Sequence, residues 1–199
     1  LYIRFGMDAS ADRFLGQRNF HAAENSASFL GAEVLGLANA ATIGVSPRHL
    51  AVDPVSGRIF LADRDSSRVM SWPSAAAFHN GESADVIIGQ ADEFTTLSPG
   101  CASGAIDATT LCQPYGVATD RSGHLFVSDR GNHRVLRFVP PFSTGMAATQ
   151  VFGQGGVFDT RVANKGGISA ESLASPGAVA AGATSLFVHD ADNRRILVY

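Results

Sequence analysis

Asp63, Asp129 and Asp190 each stand five residues before an arginine, and the three pairs (with Arg68, Arg134 and Arg195) recur at intervals of 66 and 61 residues. A carboxylate at a tight turn accepts hydrogen bonds from the turn's N–H groups, and an arginine five residues on can pair with it across a hairpin. Calcium is the sharper chemistry open to Asp63/Asp65 or to Asp190/Asp192/Asn193. Neither run has the glycine and distal glutamate of an EF-type loop, so the pairs are expected to be structural turn ties.

Other reactive groups are sparse. Cys101 and Cys112 share one loop rich in Gly, Ser, Ala and Thr. Their close spacing suits a local disulfide, worth about 2–3 kcal/mol in the chain-entropy account, and an oxidising compartment. Two reduced thiols in a cytosolic protein are the alternative. Zinc would need a further His/Cys pair. There is no Gly-x-Ser-x-Gly elbow, and Gly153-Gln154-Gly155-Gly156 follows an apolar run without opening a helix, unlike a phosphate loop. No catalytic residue and no cofactor are expected.

The elements that position these residues are short strands. In the middle copy, Pro114–Asp120, His124–Ser128, Arg134–Val139 and Thr149–Gly153 are β-prone runs. They are separated by Arg121-Ser122-Gly123, by Asp129–His133 and by Pro140-Pro141, an antiparallel meander by its turn chemistry. Leu50–Asp53, Arg58–Ala62, Val69–Trp72 and Asp85–Gly89 repeat it. Ala178–Ala180, Ser185–Val188 and Ile196–Tyr199 repeat three of its strands, while Leu1–Phe5 and Asp12–Gly16 read as the last two of an earlier copy. Gly-Gln closes the fourth run at Gly16-Gln17, Gly89-Gln90 and Gly153-Gln154. Long insertions at 18–46, 91–113 and 155–175 follow; a short helix within 25–42 is conceivable, weakened by Gly31 and Gly36. Repetition at this period marks stacked units that cannot bury their apolar faces alone.

Pro-Tyr-Gly-Val-Ala-Thr-Asp (114–120), Gly-His-Leu-Phe-Val-Ser-Asp (123–129) and Arg-Gly-Asn-His-Arg-Val-Leu-Arg-Phe (130–138) resemble NHL repeats. The long loops after Gly-Gln, with their cysteines, resemble the secreted bacterial members of that family. The resemblance implies an all-β fold: a β-propeller segment of four-stranded antiparallel blades, three full repeats with partial strands at both ends. Residues 1–17 form a partial blade, 47–90 and 114–154 are blades, and 176–199 is a partial blade. In such a disc the three long loops cross the same face. The amidating-lyase members imply a central metal held by histidines. His49 is the candidate here, but the matching places hold Gly116 and Ala178, and a zinc site needs three or four ligands. His124, His133 and His189 belong to hairpins, His21 and His79 to loops. The strand Ile196–Tyr199 presents an open edge that calls for a partner strand resembling Asp12–Gly16.

Composition narrows the function. The chain has 199 residues, 45% hydrophobic and 17% charged, enough for a sizeable core. A formal net charge of −3 gives no footprint for nucleic acid, and Arg48, Arg64 and Arg130 form at most a local patch with acidic neighbours. No apolar run approaches the ~20 residues of a membrane span. The expectation is a non-catalytic recognition or assembly module, extracellular or periplasmic. It would bind a protein or carbohydrate partner, or further blades of the same protein, through the long-loop face. A metal-dependent lyase or hydrolase is the alternative.

Overall fold

The structure, a computed structural model, describes residues 47–80, 82–90, 101 and 104–199. The partial blade expected at 1–17 and the helix considered within 25–42 lie outside the described residues. Eleven strands follow in chain order: β1 (Pro47–Val52), β2 (Ile59–Asp63), β3 (Arg68–Trp72), β4 (Val86–Ile88), β5 (Pro114–Thr119), β6 (Leu125–Asp129), β7 (Arg134–Phe138), β8 (Gln150–Phe152), β9 (Pro176–Ala181), β10 (Leu186–Asp190) and β11 (Arg195–Val198). They form two four-stranded sheets, β1-β2-β3-β4 and β5-β6-β7-β8, and one three-stranded sheet, β9-β10-β11. All pairings are antiparallel between sequence neighbours. The third repeat thus contributes three strands among the described residues. The fold is all-β, an arc of propeller blades.

β5 begins at Pro114 as the sequence indicates, while β1 and β9 begin three and two residues earlier than their apolar runs; each is entered through proline and a bulge. Pro47, Pro114 and Pro176 pair with Asp63, Asp129 and Asp190, and the register then slips before the ladder resumes. A proline cannot donate to a ladder, so the strand entrance beside a bulge is where the sheet tolerates it. β1, β5 and β9 pack side by side, with β2 against β5 and β6 against β9. The blades therefore stack face on face with their inner strands gathered together.

Stacking explains why β6 is buried along its whole length and β7 nearly so. On β6 and β7, Leu125, Val127, Leu136 and Phe138 enter one core with Phe60, Ala62, Val69 and Ile88 of the first blade. The intervening Phe126 and Val135 enter another core with Val179, Leu186 and Val188 of the third. Period-two alternation sends successive side chains to opposite seams, and both seams are apolar. The third blade's far face is different: Phe187, Ile196 and Val198 are exposed.

Gly89 and Gly153 show why each fourth strand stops at glycine. Both have φ of +97°, and a Cβ on either would lie 2.5–2.6 Å from Cδ1 of Leu111 or Leu173, the leucines that anchor the following loop. Gly153→Ala combines left-handed strain with overpacking against Leu173, and should destabilise the chain by about 2–4 kcal/mol. Urea unfolding checks this: a variant matching the parent's midpoint would show that Leu173 yields without cost.

Candidate functional site

The entrances of the inner strands, the β2–β3-type hairpin turns and the ends of the fourth strands all lie at one end of the blades, where the described loop segments 104–113 and 155–175 also run. The carboxylates organise this end. Asp129 accepts from Arg134 Nε at 2.7 Å and Asn132 Nδ2 at 2.8 Å on one oxygen, and from the Cys112 N–H at 2.7 Å on the other. Asp190 repeats the set with Arg195 Nε at 2.7 Å, Asn193 Nδ2 at 2.8 Å and the Ala174 N–H at 2.8 Å. Asp63 takes Arg68 Nε at 2.9 Å. The chain before each arginine makes a tight turn whose last residue, Ser67, His133 or Arg194, has φ of +52 to +55°. Each of these N–H groups donates to the carbonyl three residues back.

The arginines reach past their partners into the loops. Arg134 Nη2 donates to the carbonyls of Asp107 (2.9 Å) and Thr110 (2.8 Å), and Nη1 to that of Phe158, so one side chain ties the loops before and after its own blade. Arg195 Nη2 holds Ser169 O (2.7 Å) and Ser172 O (2.9 Å) in the same way. Five donors in a fixed fork suit this task better than a lysine's point charge. The Gly-Gln signature completes the lashing. Gln154 Nε2 donates to His133 O (3.0 Å) and Val162 O (2.9 Å), while its Oε1 accepts from Thr160 Oγ1 (2.9 Å) and the Val162 N–H (3.2 Å). Gln90 Nε2 donates to Ser66 O. A disulfide joins Cys101 to Cys112, with their Cα atoms 4.9 Å apart, next to the Asp129 tie.

Full burial pushes the Asp129 carboxyl above its ordinary value, opposed by Arg134, the Cys112 N–H and Asn132. His133, half-buried, is lowered from the usual 6.5 chiefly by burial; Arg130 adds to this and the carboxylates Asp192 and Asp129 oppose it. The Ser175 N–H lies 2.9 Å from His133 Nδ1 and donates to it, a bond that only a ring unprotonated at Nδ1 can accept. These are scaffold chemistries, and they tie the described loop segments to the blades.

His49 is not gathered with other ligands. Its Nδ1 lies 2.8 Å from Val117 O and 3.3 Å from Val117 N, so the ring stitches the first blade to the second. Among the described residues no group of three or more His, Cys, Asp or Glu is assembled as a metal site. What the strand entrances do assemble is cationic and aromatic. The guanidinium carbons of Arg48 and Arg130 lie 5.6 and 5.4 Å from the centre of the Tyr115 ring. Arg130 Nη1 is fixed on Ser175 O at 2.9 Å. Arg64 reaches Gln113 Oε1 at 3.4 Å and Asp65 at 3.3 Å. The sequence singled out the three arginines but not Tyr115. The available signal was a departure from the repeat: position by position, Arg48, Tyr115 and Gly177 are equivalent and unlike. Gln90 and Gln154 were visible as a signature without a role.

Two measurements test the scaffold. Arg134→Leu strands a buried carboxylate and three loop carbonyls, and should cost about 3–5 kcal/mol in chemical denaturation; a loss below 1 kcal/mol would show the loops stand without it. Because His133 has a lowered pKa when folded, its contribution is present above 6.5 and is lost as the pH falls through the lower folded value. Stability measured from pH 7.5 to 5 should fall in the parent, with a shallower slope in His133→Asn; identical slopes would remove His133 from this role.

Comparison with known proteins supports the repeat in the second blade. Residues 111–138 match the sequence family described as the NHL repeat. Among solved structures the chain is similar to the hydrazine synthase of Kuenenia stuttgartiensis, at 11% identity and a TM-score of 0.39 over 76% of this chain and 34% of that one. It is similar to virginiamycin B lyase from Staphylococcus aureus, at 14% identity and a TM-score of 0.41 over 78% and 41%. It is similar also to U3-55K, at 16% identity and a TM-score of 0.38 over 77% and 51%. The chain thus spans about a third to a half of the length of these structures. Likeness at this level carries no activity across. The second blade carries an NHL repeat, and an NHL-type propeller family is the relationship that this match and the stacked blades support.

Proposed function

We propose that this arc is a non-catalytic recognition module that binds an acidic protein surface at its loop face, outside the cytoplasm. The observation that carries it is the Arg48–Tyr115–Arg130 cluster, held at the strand entrances among loops lashed down by buried ion pairs and glutamine clamps. Loops on a rigid scaffold are the usual carriers of binding. Arginine and tyrosine are the residue types enriched where interfaces concentrate their energy. The half-buried Tyr115 ring already has two guanidinium groups over it, which leaves it poorly placed to stack on a sugar. The free guanidinium edges suit carboxylates, and a protein partner is therefore favoured over a carbohydrate. The Cys101–Cys112 disulfide supports an extracellular or periplasmic location.

Surface plasmon resonance against polyglutamate, a neutral polyglutamine control and a panel of glycans tests the proposal. The parent should bind polyglutamate alone, with a strong salt dependence. The double variant Arg48→Ala/Arg130→Ala should bind at least tenfold more weakly, while Arg121→Ala, in an exposed turn at the opposite end of the blade, should bind like the parent. Equal loss from both changes, or preference for a glycan, would overturn it.

A further inference from the structure

Each seam between described blades is fastened at the loop face by a two-point clasp on the residue before the entry proline. In the first seam that residue is Gln113. Its N–H donates to Ser67 Oγ at 3.2 Å, and its Oε1 accepts from Arg64 Nη2 at 3.4 Å. In the second seam it is Ser175. Its N–H donates to His133 Nδ1 at 2.9 Å, and its carbonyl accepts from Arg130 Nη1 at 2.9 Å. The backbone matches too: Ser67 and His133 close their turns at φ of +52° and +55°, and Gln113 and Ser175 stand at +49° and +50°. What differs is the acceptor. A serine hydroxyl keeps its lone pairs through the physiological range, whereas an imidazole nitrogen accepts only while unprotonated.

The titrating clasp is also the one that carries the recognition cluster. Arg130, anchored on Ser175 O, holds its guanidinium carbon 5.4 Å from the centre of the Tyr115 ring. Arg130 and His133 belong to one turn, closed by the His133 N–H on Arg130 O at 3.2 Å. Burial and Arg130 hold the imidazole below its usual 6.5, against Asp192 from the turn of the third blade and Asp129 from its own. The loop at 155–175 reaches His133 through Gln154 Nε2, on the His133 carbonyl at 3.0 Å. That loop's Lys165 Nζ is held on Gln154 O and Thr160 Oγ1, at 3.2 Å each. The entrance of β9, Ser175-Pro176-Gly177, has no ionisable side chain.

We propose that His133 is the positioning residue of this cluster and makes recognition acid-sensitive, which rests on the binding role of Arg48, Tyr115 and Arg130. Protonation of the ring releases Ser175, frees Arg130 from its place over Tyr115 and weakens the hold on an acidic partner. A proton on Nδ1 sets two donors against each other and adds a positive charge near Arg130, so the clasp parts. Affinity falls because a guanidinium fixed before binding costs less to order than a loose one. The added charge by itself would do the opposite and attract an acidic partner more strongly. The sign of the effect is therefore decisive.

Affinity for polyaspartate, measured by surface plasmon resonance at pH 7.5 and pH 5 and at fixed salt, reads the device as a ratio within each protein. The parent should bind at least about fivefold more weakly at pH 5. In His133→Ser, which copies the clasp of Ser67, and in Arg130→Ala, the ratio should stay within about twofold. Titration of the partner is common to all three proteins and cancels in the comparison. An equal fall in all three, or tighter binding by the parent at pH 5, would overturn the proposal. Absence of binding by the parent at pH 7.5 would count against the recognition role alone, and ligand-free NMR then decides for His133. The Tyr115 ring and Arg130 Nε–H signals of the parent should shift with the inflection of the His133 ring, while the Trp72 ring holds still. In His133→Ser those shifts should vanish. A Tyr115 signal that ignores the His133 titration sinks the device.

Discussion

Everything at the loop face hangs on a carboxylate with no access to water. Asp129 and Asp190 spend one oxygen on an arginine and an asparagine within the turn and the other on a backbone N–H where the preceding loop arrives. Desolvating a charge is tolerable only when its hydrogen-bonding capacity is filled in good geometry. The turn, the arginine and the loop end therefore form together. A loop that would otherwise lose much conformational entropy on ordering is instead fixed by the same contacts that neutralise the aspartate.

That dependence explains which parts of the molecule were legible in the sequence. The Asp–Arg spacing, the entry prolines and the alternating apolar runs repeat, and repetition separates a constraint from chance. The strands and turn pairs could therefore be placed to within a few residues. The misplaced boundaries fall at Pro47 and Pro176, where a bulge inserts residues without changing the apolar pattern. Nothing in a period-two count registers a bulge.

The contacts between blades were not legible, because they join residues far apart in sequence and do not repeat. His49 is a metal-ligand candidate only through the family resemblance, and its matching places hold Gly116 and Ala178. Its imidazole meets the backbone of Val117, 68 residues away, and only the stacking of two blades creates that neighbour. Tyr115 is likewise unremarkable in sequence until Arg48 and Arg130 are brought over it.

The two described seams differ in their stitching, although the blades look alike. Between the first and second blades an imidazole bridges the inner strands. Between the second and third, Gly116 comes so near the β9 backbone that a Cβ would lie 2.7 Å from Gly177 O, and the Ser128 hydroxyl reaches Gly177 O at 2.6 Å and Pro176 O at 3.0 Å. The positions matching Ser128 hold Ala62 and His189. A first blade moved to the second place would bring His49 where only a hydrogen fits. The repeats share a shape but not a socket, so the order of the blades is written into their joints.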